Sequence, residues 1–240
     1  MALHFLSETC TTAGVGDVVA LTGAEAKHAA VVRRLRVGEE VTVGDGAGVW
    51  LAGTVDDVTA SSVSIRITER REQAAPARRI LLAQALAKGD RDELAVQAAC
   101  ELGVDVIIPW QASRSISRWE GAKAVKGRER WATIVREAAK QAHRPFVPAV
   151  LEPVSSAQLA ARDERMLVLD PTATAKLSDV VDDGRDLLLV VGPEGGIAPE
   201  ELERFTAAGA ERVRLGDTVL RTSTAGPAAI AVLSARTGRW

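Results

Sequence analysis

Two stretches in the C-terminal third combine residue types suited to cradling a small molecule. Val191-Gly-Pro-Glu-Gly-Gly-Ile197 follows an apolar run, Leu187 to Val191, and precedes a helix start at Pro199-Glu200-Glu201. Three glycines and a proline at a strand-to-helix turn make a loop whose backbone can touch a ligand closely. Leu215-Gly-Asp-Thr-Val-Leu-Arg-Thr-Ser-Thr-Ala225 also leaves a short strand, Arg212 to Leu215, and enters a helix of small residues. Two such loops, each beyond a strand end, are where an open α/β sheet builds a small-molecule site.

Each motif has a plainer reading. Gly192 to Gly196 reads equally as a tight βα turn. A mere turn does not require Glu194, whose carboxylate would order a neighbouring loop or meet a substrate. Pro199, Glu200 and Glu201 are explained by capping and the helix dipole alone. Arg221 precedes Thr222-Ser223-Thr224, natural N-cap residues. An arginine at a helix N-terminus is poised for an anionic or carbonyl-bearing partner, or else pairs with Asp217 at the surface. Ala225-Gly226-Pro227-Ala228-Ala229 lets its helix pack close to another backbone, in a threaded segment or at a subunit interface alike. Other chemistries find no support: no phosphate-loop spacing occurs, Gly44 to Gly48 lies in a hairpin with no helix after it, and no serine sits in a nucleophile elbow.

The elements that must position these loops change character along the chain. Residues 1 to about 70 read as short strands at His4 to Leu6, Val18 to Leu21, Glu40 to Val43, Val49 to Val55 and Ser62 to Thr68, with one helix over Ala24 to Leu35. That pattern suggests a small β-barrel. Glu72-Gln73-Ala74-Ala75-Pro76 reads as a linker, dividing the chain into 1–72 and 73–240. From Arg79, strands at Ile80 to Leu86, Val104 to Pro109, Met166 to Leu169, Leu187 to Val191 and Arg212 to Leu215 alternate with helices. Those helices are expected over Asp90 to Leu102, Gly127 to Gln141, Pro199 to Ala208 and Thr224 to Ala235. Such alternation implies an α/β fold with a mainly parallel sheet and helices on both faces.

Composition, with 47% hydrophobic and 26% charged residues, is that of an ordinary globular protein. No secretory signal is visible and no apolar stretch approaches a membrane span. Cys10 and Cys100, with His4, His28 and His143, show neither a disulfide framework nor metal-ligand spacing. No metal is expected, and the cytoplasm is the default location. The net charge of −2 is unevenly spread. Residues 110 to 150 carry nine Lys or Arg against Glu120, Glu129 and Glu137, a local +6 that leaves −8 for the rest. Arg33, Arg34 and Arg36, with Arg66, Arg70, Arg71, Arg78 and Arg79, form a second basic cluster. Basic patches on an otherwise acidic chain fit a polyanion footprint, although 121 to 144 also reads as a solvated helix face. Trp110, Trp119 and Trp131 fall in the basic segment. Stacking on bases is one use for them; for Trp131, on a helix, a core anchor is the preferred reading.

Taken in order, these pieces resemble one family, the RsmE-type 16S rRNA (uracil-N3)-methyltransferases of the SPOUT class. The resemblance runs over nearly the whole chain: His28 to Arg36 with Asp45-Gly46; Lys88-Gly-Asp-Arg91 with Gln97 and Glu101-Leu-Gly103; Ser113-Arg114-Ser115 with Arg118-Trp119; Trp131 through Gln141 to Arg144; then Gly192 to Gly196 and Leu215 to Ala225. It implies an N-terminal PUA-like small β-barrel and a trefoil-knotted SPOUT domain. It also implies a homodimer through the C-terminal knot, 16S rRNA in the small ribosomal subunit as partner, and S-adenosylmethionine as cofactor.

The resemblance further implies residue roles. Arg221 and Glu194 are the expected catalytic groups. Leu169, Asp170, Pro171, Gly192, Pro193, Glu194, Gly195, Gly196, Ile197, Leu215, Gly216, Leu220, Arg221, Thr222, Thr224 and Ala225 are expected to hold the cofactor. Arg33, Arg34, Arg36, Lys88, Arg91, Arg114, Arg118 and Arg144 are expected on RNA. The family's third loop often reads Arg-Thr-Glu-Thr-Ala, and here Ser223 stands in place of the Glu. That leaves the general base open. Two other readings weigh against the main one: ribose 2′-O-methylation by a related knotted protein, weakened by the lack of an Asn-x-Gly-like loop between Arg79 and Val104, and a non-catalytic RNA-binding assembly factor.

Overall fold

The alternation of apolar and polar residues in the N-terminal third produces a sheet with one buried face. The computed structural model describes residues 2–240 and divides into two units. In the first, β1 (Leu3–Leu6), β2 (Val18–Thr22), β3 (Glu40–Gly44), β4 (Val49–Val58) and β5 (Ser62–Glu72) form one sheet in the order β1-β3-β4-β5-β2. Only β1 and β3 run parallel. Val63, Ile65 and Ile67 point into the core with Val41, Val43 and Leu51, while Arg66 faces water. Register shifts in the β4–β5 ladder at Ala52/Gly53 and Val55/Asp57 mark bulges, which bend and twist a sheet around its core.

The helix expected over 24–35 is shorter. α1 (Gly23–Lys27) passes into a π-helical turn, His28–Val32, and the chain leaves it through Arg34 at φ 55°. Ala26, Ala29 and Leu35 are buried, whereas β-branched Val31 and Val32 are exposed and give the core no reason to extend a regular helix. The β5 ladder also runs to Glu72, into the expected linker, and the Gln73 N–H donates to the Gly48 carbonyl at 3.0 Å. Residues Ala139–Val147 belong to this same unit, far along the chain. The Gly48 N–H donates to the Pro145 carbonyl at 3.1 Å and the Val147 N–H to the Gly46 carbonyl at 2.9 Å.

The second unit is built on six strands: β6 (Ile80–Ala85), β7 (Val106–Trp110), β8 (Ala149–Val150), β9 (Arg165–Leu169), β10 (Leu187–Val191) and β11 (Glu211–Val213). Their order is β11-β9-β10-β6-β7-β8, every pair parallel. The central strands β6, β7 and β10 are buried throughout, which is why they read as continuous apolar runs. α4 (Ser156–Ala160) and α5 (Pro199–Ala207) cover one face, where Leu159 and Phe205 meet Leu81, Ala83, Ile108 and Val190. α2 (Arg91–Glu101) and α6 (Thr222–Arg236) pack together on the other, Gly226 lying over Leu82 and Val191. The sheet is therefore mainly parallel with helices on both faces. Its later members, β8 and α4, are too short to show a period; Ser155 and Gln158 cap α4 reciprocally.

α3 (Ala122–Gln141) starts five residues before the expected Gly127. A Cβ at Gly127 would come within 2.6 Å of the Trp119 ring. The glycine marks a close approach of that indole, not a helix boundary. Trp119 in turn meets buried Trp131 edge to face at 5.1 Å, so Trp131 is a core anchor.

Candidate functional site

Three strand-end loops of the second unit converge on one cleft of about 550 Å³. Leu169, Asp170 and Pro171 follow β9; Gly192, Pro193, Glu194, Gly196 and Ile197 follow β10; Leu215, Gly216 and Leu220 follow β11. Arg221, Thr222 and Ala225 of the α6 start complete it. Parallel strands put all these ends on one side of the sheet, at the edge where such folds take ligands. Two expected residues do not line the cleft. The Gly195 carbonyl accepts from Arg114 Nη1 at 3.1 Å, and Thr224 sits exposed in the first turn of α6. Thr172, Arg214, Thr218, Val219 and Arg91 line it without having been expected there.

The β10 turn is tightly closed. Gly196 holds φ 71°, and a Cβ on Gly192 would lie 2.7 Å from Ile197 Cγ1, so both positions favour glycine. Thr222 Oγ1 donates to the Gly192 carbonyl at 2.8 Å and accepts from Gln84 Nε2 at 2.9 Å. Gln84 is wholly buried in β6. Its only advance signal was polarity within an otherwise apolar strand, a cost unless hydrogen-bonded.

Glu194 is exposed and reaches toward the β6–α2 loop. Its Oε1 accepts from the Lys88 N–H at 3.1 Å and from Arg91 Nη1 at 3.0 Å. Burial pushes its pKa up, but its own amide, the Lys88 N–H and the Arg91 guanidinium outweigh this and hold the carboxyl below its usual range. Asp170 behaves similarly: burial raises its pKa, Thr172 and Arg212 lower it, and the net direction is down. Arg212 Nη2 pairs with Asp170 at 2.5 Å, fixing the loop after β9. Glu201 is buried at the start of α5, accepting from the Ser113 N–H at 2.8 Å and Ser156 Oγ at 2.5 Å.

Arg221 is the N-cap residue of α6 and stands exposed at the cleft. The surface pair considered for it does not form, because Asp217 is taken by Arg214. Among the described residues Arg221 makes no ion pair. Of the arginines and lysines expected on RNA, Arg33, Arg34 and Arg36 are exposed in the first unit and Arg144 half-buried there. In the second unit Lys88 is exposed, Arg91 pairs with Glu194, Arg114 holds the Gly195 carbonyl, and Arg118 Nη2 donates to the Ser113 carbonyl at 2.9 Å. Among the described residues no group of three or more His, Cys, Asp or Glu is placed to hold a metal ion, and no helix is long and apolar enough to cross a membrane.

Comparison with known proteins agrees in both halves. Residues 74–234 match the model of an RNA methyltransferase domain, and residues 21–68 match that of an RNA methyltransferase PUA domain. The ribosomal RNA small subunit methyltransferase E of Mycobacterium tuberculosis is 41% identical over 239 residues, covering 96% of this chain and 91% of the relative. That of Bacillus subtilis is 31% identical, covering 99% and 97%. Among solved structures, the ribosomal RNA small subunit methyltransferase E of Neisseria gonorrhoeae, bound to S-adenosyl methionine, is 28% identical with a TM-score of 0.88, covering 98% of both chains.

Proposed function

This chain belongs to the ribosomal RNA small subunit methyltransferase E family, RNA methyltransferases of the SPOUT fold with an N-terminal PUA domain, and we propose that it methylates N3 of a uridine in the decoding region of 16S rRNA with S-adenosylmethionine as donor. The observation that carries this reading is the convergence of the β9, β10 and β11 loops on one cleft lined by Arg221, which makes no ion pair among the described residues. At about 550 Å³ the cleft falls within the roughly 300–1,000 Å³ of small-molecule sites. Leu169, Val191, Ile197 and Leu220 give it apolar walls suited to an adenine ring, and the glycine turns bring backbone groups within reach of a ribose.

When bound, S-adenosylmethionine supplies a sulfonium methyl, an electrophile with a neutral leaving group. The chain must then hold uracil N3 in line with that methyl, and proximity supplies much of the rate. N3 carries a weakly acidic imide proton. Arg221 stabilises the negative charge that develops on the uracil as this proton leaves. Glu194 is a weak base in this setting, its carboxylate held ionised by Arg91 and the Lys88 amide. Its part is to lock the β10 turn, and water takes the proton. N3 lies on the Watson–Crick edge, so the target uridine reacts unpaired or extruded. The exposed arginines of the first unit and the basic 110–150 segment hold rRNA phosphates.

The reading includes a homodimer through the C-terminal segment, supported by Val219 and Leu220, exposed in the cleft wall, and a cytoplasmic location. Mass spectrometry of small-subunit rRNA nucleosides tests the reaction. Cells lacking this protein should lose one 3-methyluridine and regain it on complementation. Loss of a 2′-O-methylated nucleoside instead, or an unchanged profile, would overturn the assignment.

A further inference from the structure

The first unit holds a small polar pocket lined by His4, His28, Arg33, Lys140 and His143. The backbone around it is irregular in three places. Arg34 and His143 are the two non-glycine residues, among those described, with left-handed backbone, at φ 55° and 52°. His143 lines the pocket, and Arg34 follows Arg33, which does. The third irregularity is the π-helical turn, closed by the Arg33 N–H donating to the His28 carbonyl at 2.8 Å; both residues reach the pocket. Strained backbone and π turns concentrate at functional sites, where the surrounding fold holds them.

The polar groups are arranged for a negative guest. His4 is 6% exposed, stacked on Trp50 at 4.0 Å, with its ring centroid 5.9 Å from that of His143. Its Nε2 is buried with no hydrogen-bond partner among the described residues. The Thr42 hydroxyl has two acceptors in reach, His4 Nδ1 at 2.9 Å and the Leu3 carbonyl at 3.4 Å. Burial first, then the neighbouring His143 and Lys140, lower the His4 pKa to about 3, so its ring is neutral. Lys140 is offset by Glu25 at 2.9 Å, while Arg33 makes no ion pair among the described residues. The volume, about 30 Å³, matches a single oxygen-sized guest and excludes a base.

We propose that this pocket is a phosphate subsite, in which Arg33, His28 and His143 grip one non-bridging oxygen of an RNA phosphodiester. The proposal rests on reading the chain as one that acts on RNA. It adds a specific grip to the diffuse attraction of exposed arginines, which positions the strand without reading its bases.

Dimethyl phosphate, a phosphodiester without base or sugar, tests it on the full chain by titration followed through the histidine ring NMR signals. Saturable shifts of the His28 and His143 signals are expected, weakened at least tenfold in Arg33→Gln. That variant alters an exposed side chain, and its thermal melt reports whether the fold survives. Binding of small ribosomal subunits should in parallel lose about one unit of slope against log salt in Arg33→Gln. Shifts matched by chloride at equal ionic strength, or undiminished in Arg33→Gln, would overturn the subsite. Wild-type methylation of rRNA alongside such a result leaves the proposed function standing. Saturable phosphate shifts with no rRNA methylation would sink the function and keep the subsite.

Discussion

One buried hydroxyl, that of Thr222, donates to the Gly192 carbonyl at 2.8 Å while accepting from Gln84 at 2.9 Å, so a single side chain joins β6, the turn after β10 and α6. Thr222→Val removes the nearer of two acceptors of a wholly buried amide, the other being the Ala85 carbonyl at 3.3 Å. Leaving such a group unpaired costs about 1–3 kcal/mol, and urea unfolding should show a loss of that size. Adding Gln84→Leu should recover part of it, because both partners are then apolar. A double variant less stable than the sum of the singles would contradict this.

Arg221→Ala should lower methylation by about a hundredfold or more, the order associated with removing one preorganised electrostatic group. Its exposed side chain makes no ion pair among the described residues, so the melting temperature should move little. Single-turnover methyl transfer to small subunits measures the first, and a thermal scan the second. Near-normal transfer would remove Arg221 from the mechanism.

Glu194→Gln should leave the fold standing, since a half-exposed ion pair such as that with Arg91 contributes at most about 1 kcal/mol. Its effect should fall on donor affinity, read by calorimetry, because the β10 turn loses its tie to Lys88 and Arg91. The pH dependence has a definite sign. The folded-state pKa is depressed, so the contribution is complete above the unfolded value, about 4.3, and fades as pH falls through the folded one. The Gln variant should therefore show a flatter stability profile below that pH. Equal acid limbs would count against the pair.

His4 titrates the other way in chemistry and the same way in sign. Its folded pKa is lowered to about 3 from 6.5, so between those values the unfolded chain binds the extra proton. Stability is complete above pH 6.5 and declines toward pH 3, at up to about 1.4 kcal/mol per pH unit for one proton. His4→Phe removes that proton site while keeping a ring to stack on Trp50. Denaturant unfolding at several pH values should show a shallower decline in the variant.

Reversing Arg33, Arg34 and Arg36 to Glu should abolish binding to small subunits and spare donor affinity, because these side chains lie outside the cleft-lining set. Wild-type binding should weaken steeply with salt. Filter binding and calorimetry separate the two effects. Unchanged subunit affinity would remove these arginines from the RNA surface.

Much of the site was legible because its signals are local. Gly192 to Gly196 and Leu215 to Ala225 carry their turns and caps in a few consecutive residues, and β6, β7 and β10 announce two-sided burial by apolar runs that only Gln84 of β6 interrupts. What escaped was set by contacts distant in sequence. Arg91 is drawn to Glu194, 103 positions away, by a loop geometry no spacing encodes. Thr222 reads as a cap from its neighbours, yet its partner Gln84 lies 138 positions earlier. Gly127 looked like a boundary because the indole that needs its missing Cβ sits eight residues before it. The π-helical turn at His28–Val32 depends on which side chains the sheet beneath can bury.

Because Ala139–Val147 supplies Pro145 and Val147 to the backbone network of the first unit, that unit is not contiguous in the chain. A fragment cut at Pro76 would leave the Gly46 carbonyl and Gly48 N–H without their partners. During translation, the N-terminal domain cannot be completed until residue 147 has left the ribosome, by which time two of the methyltransferase sheet's six strands, β6 and β7, have already emerged without their neighbours.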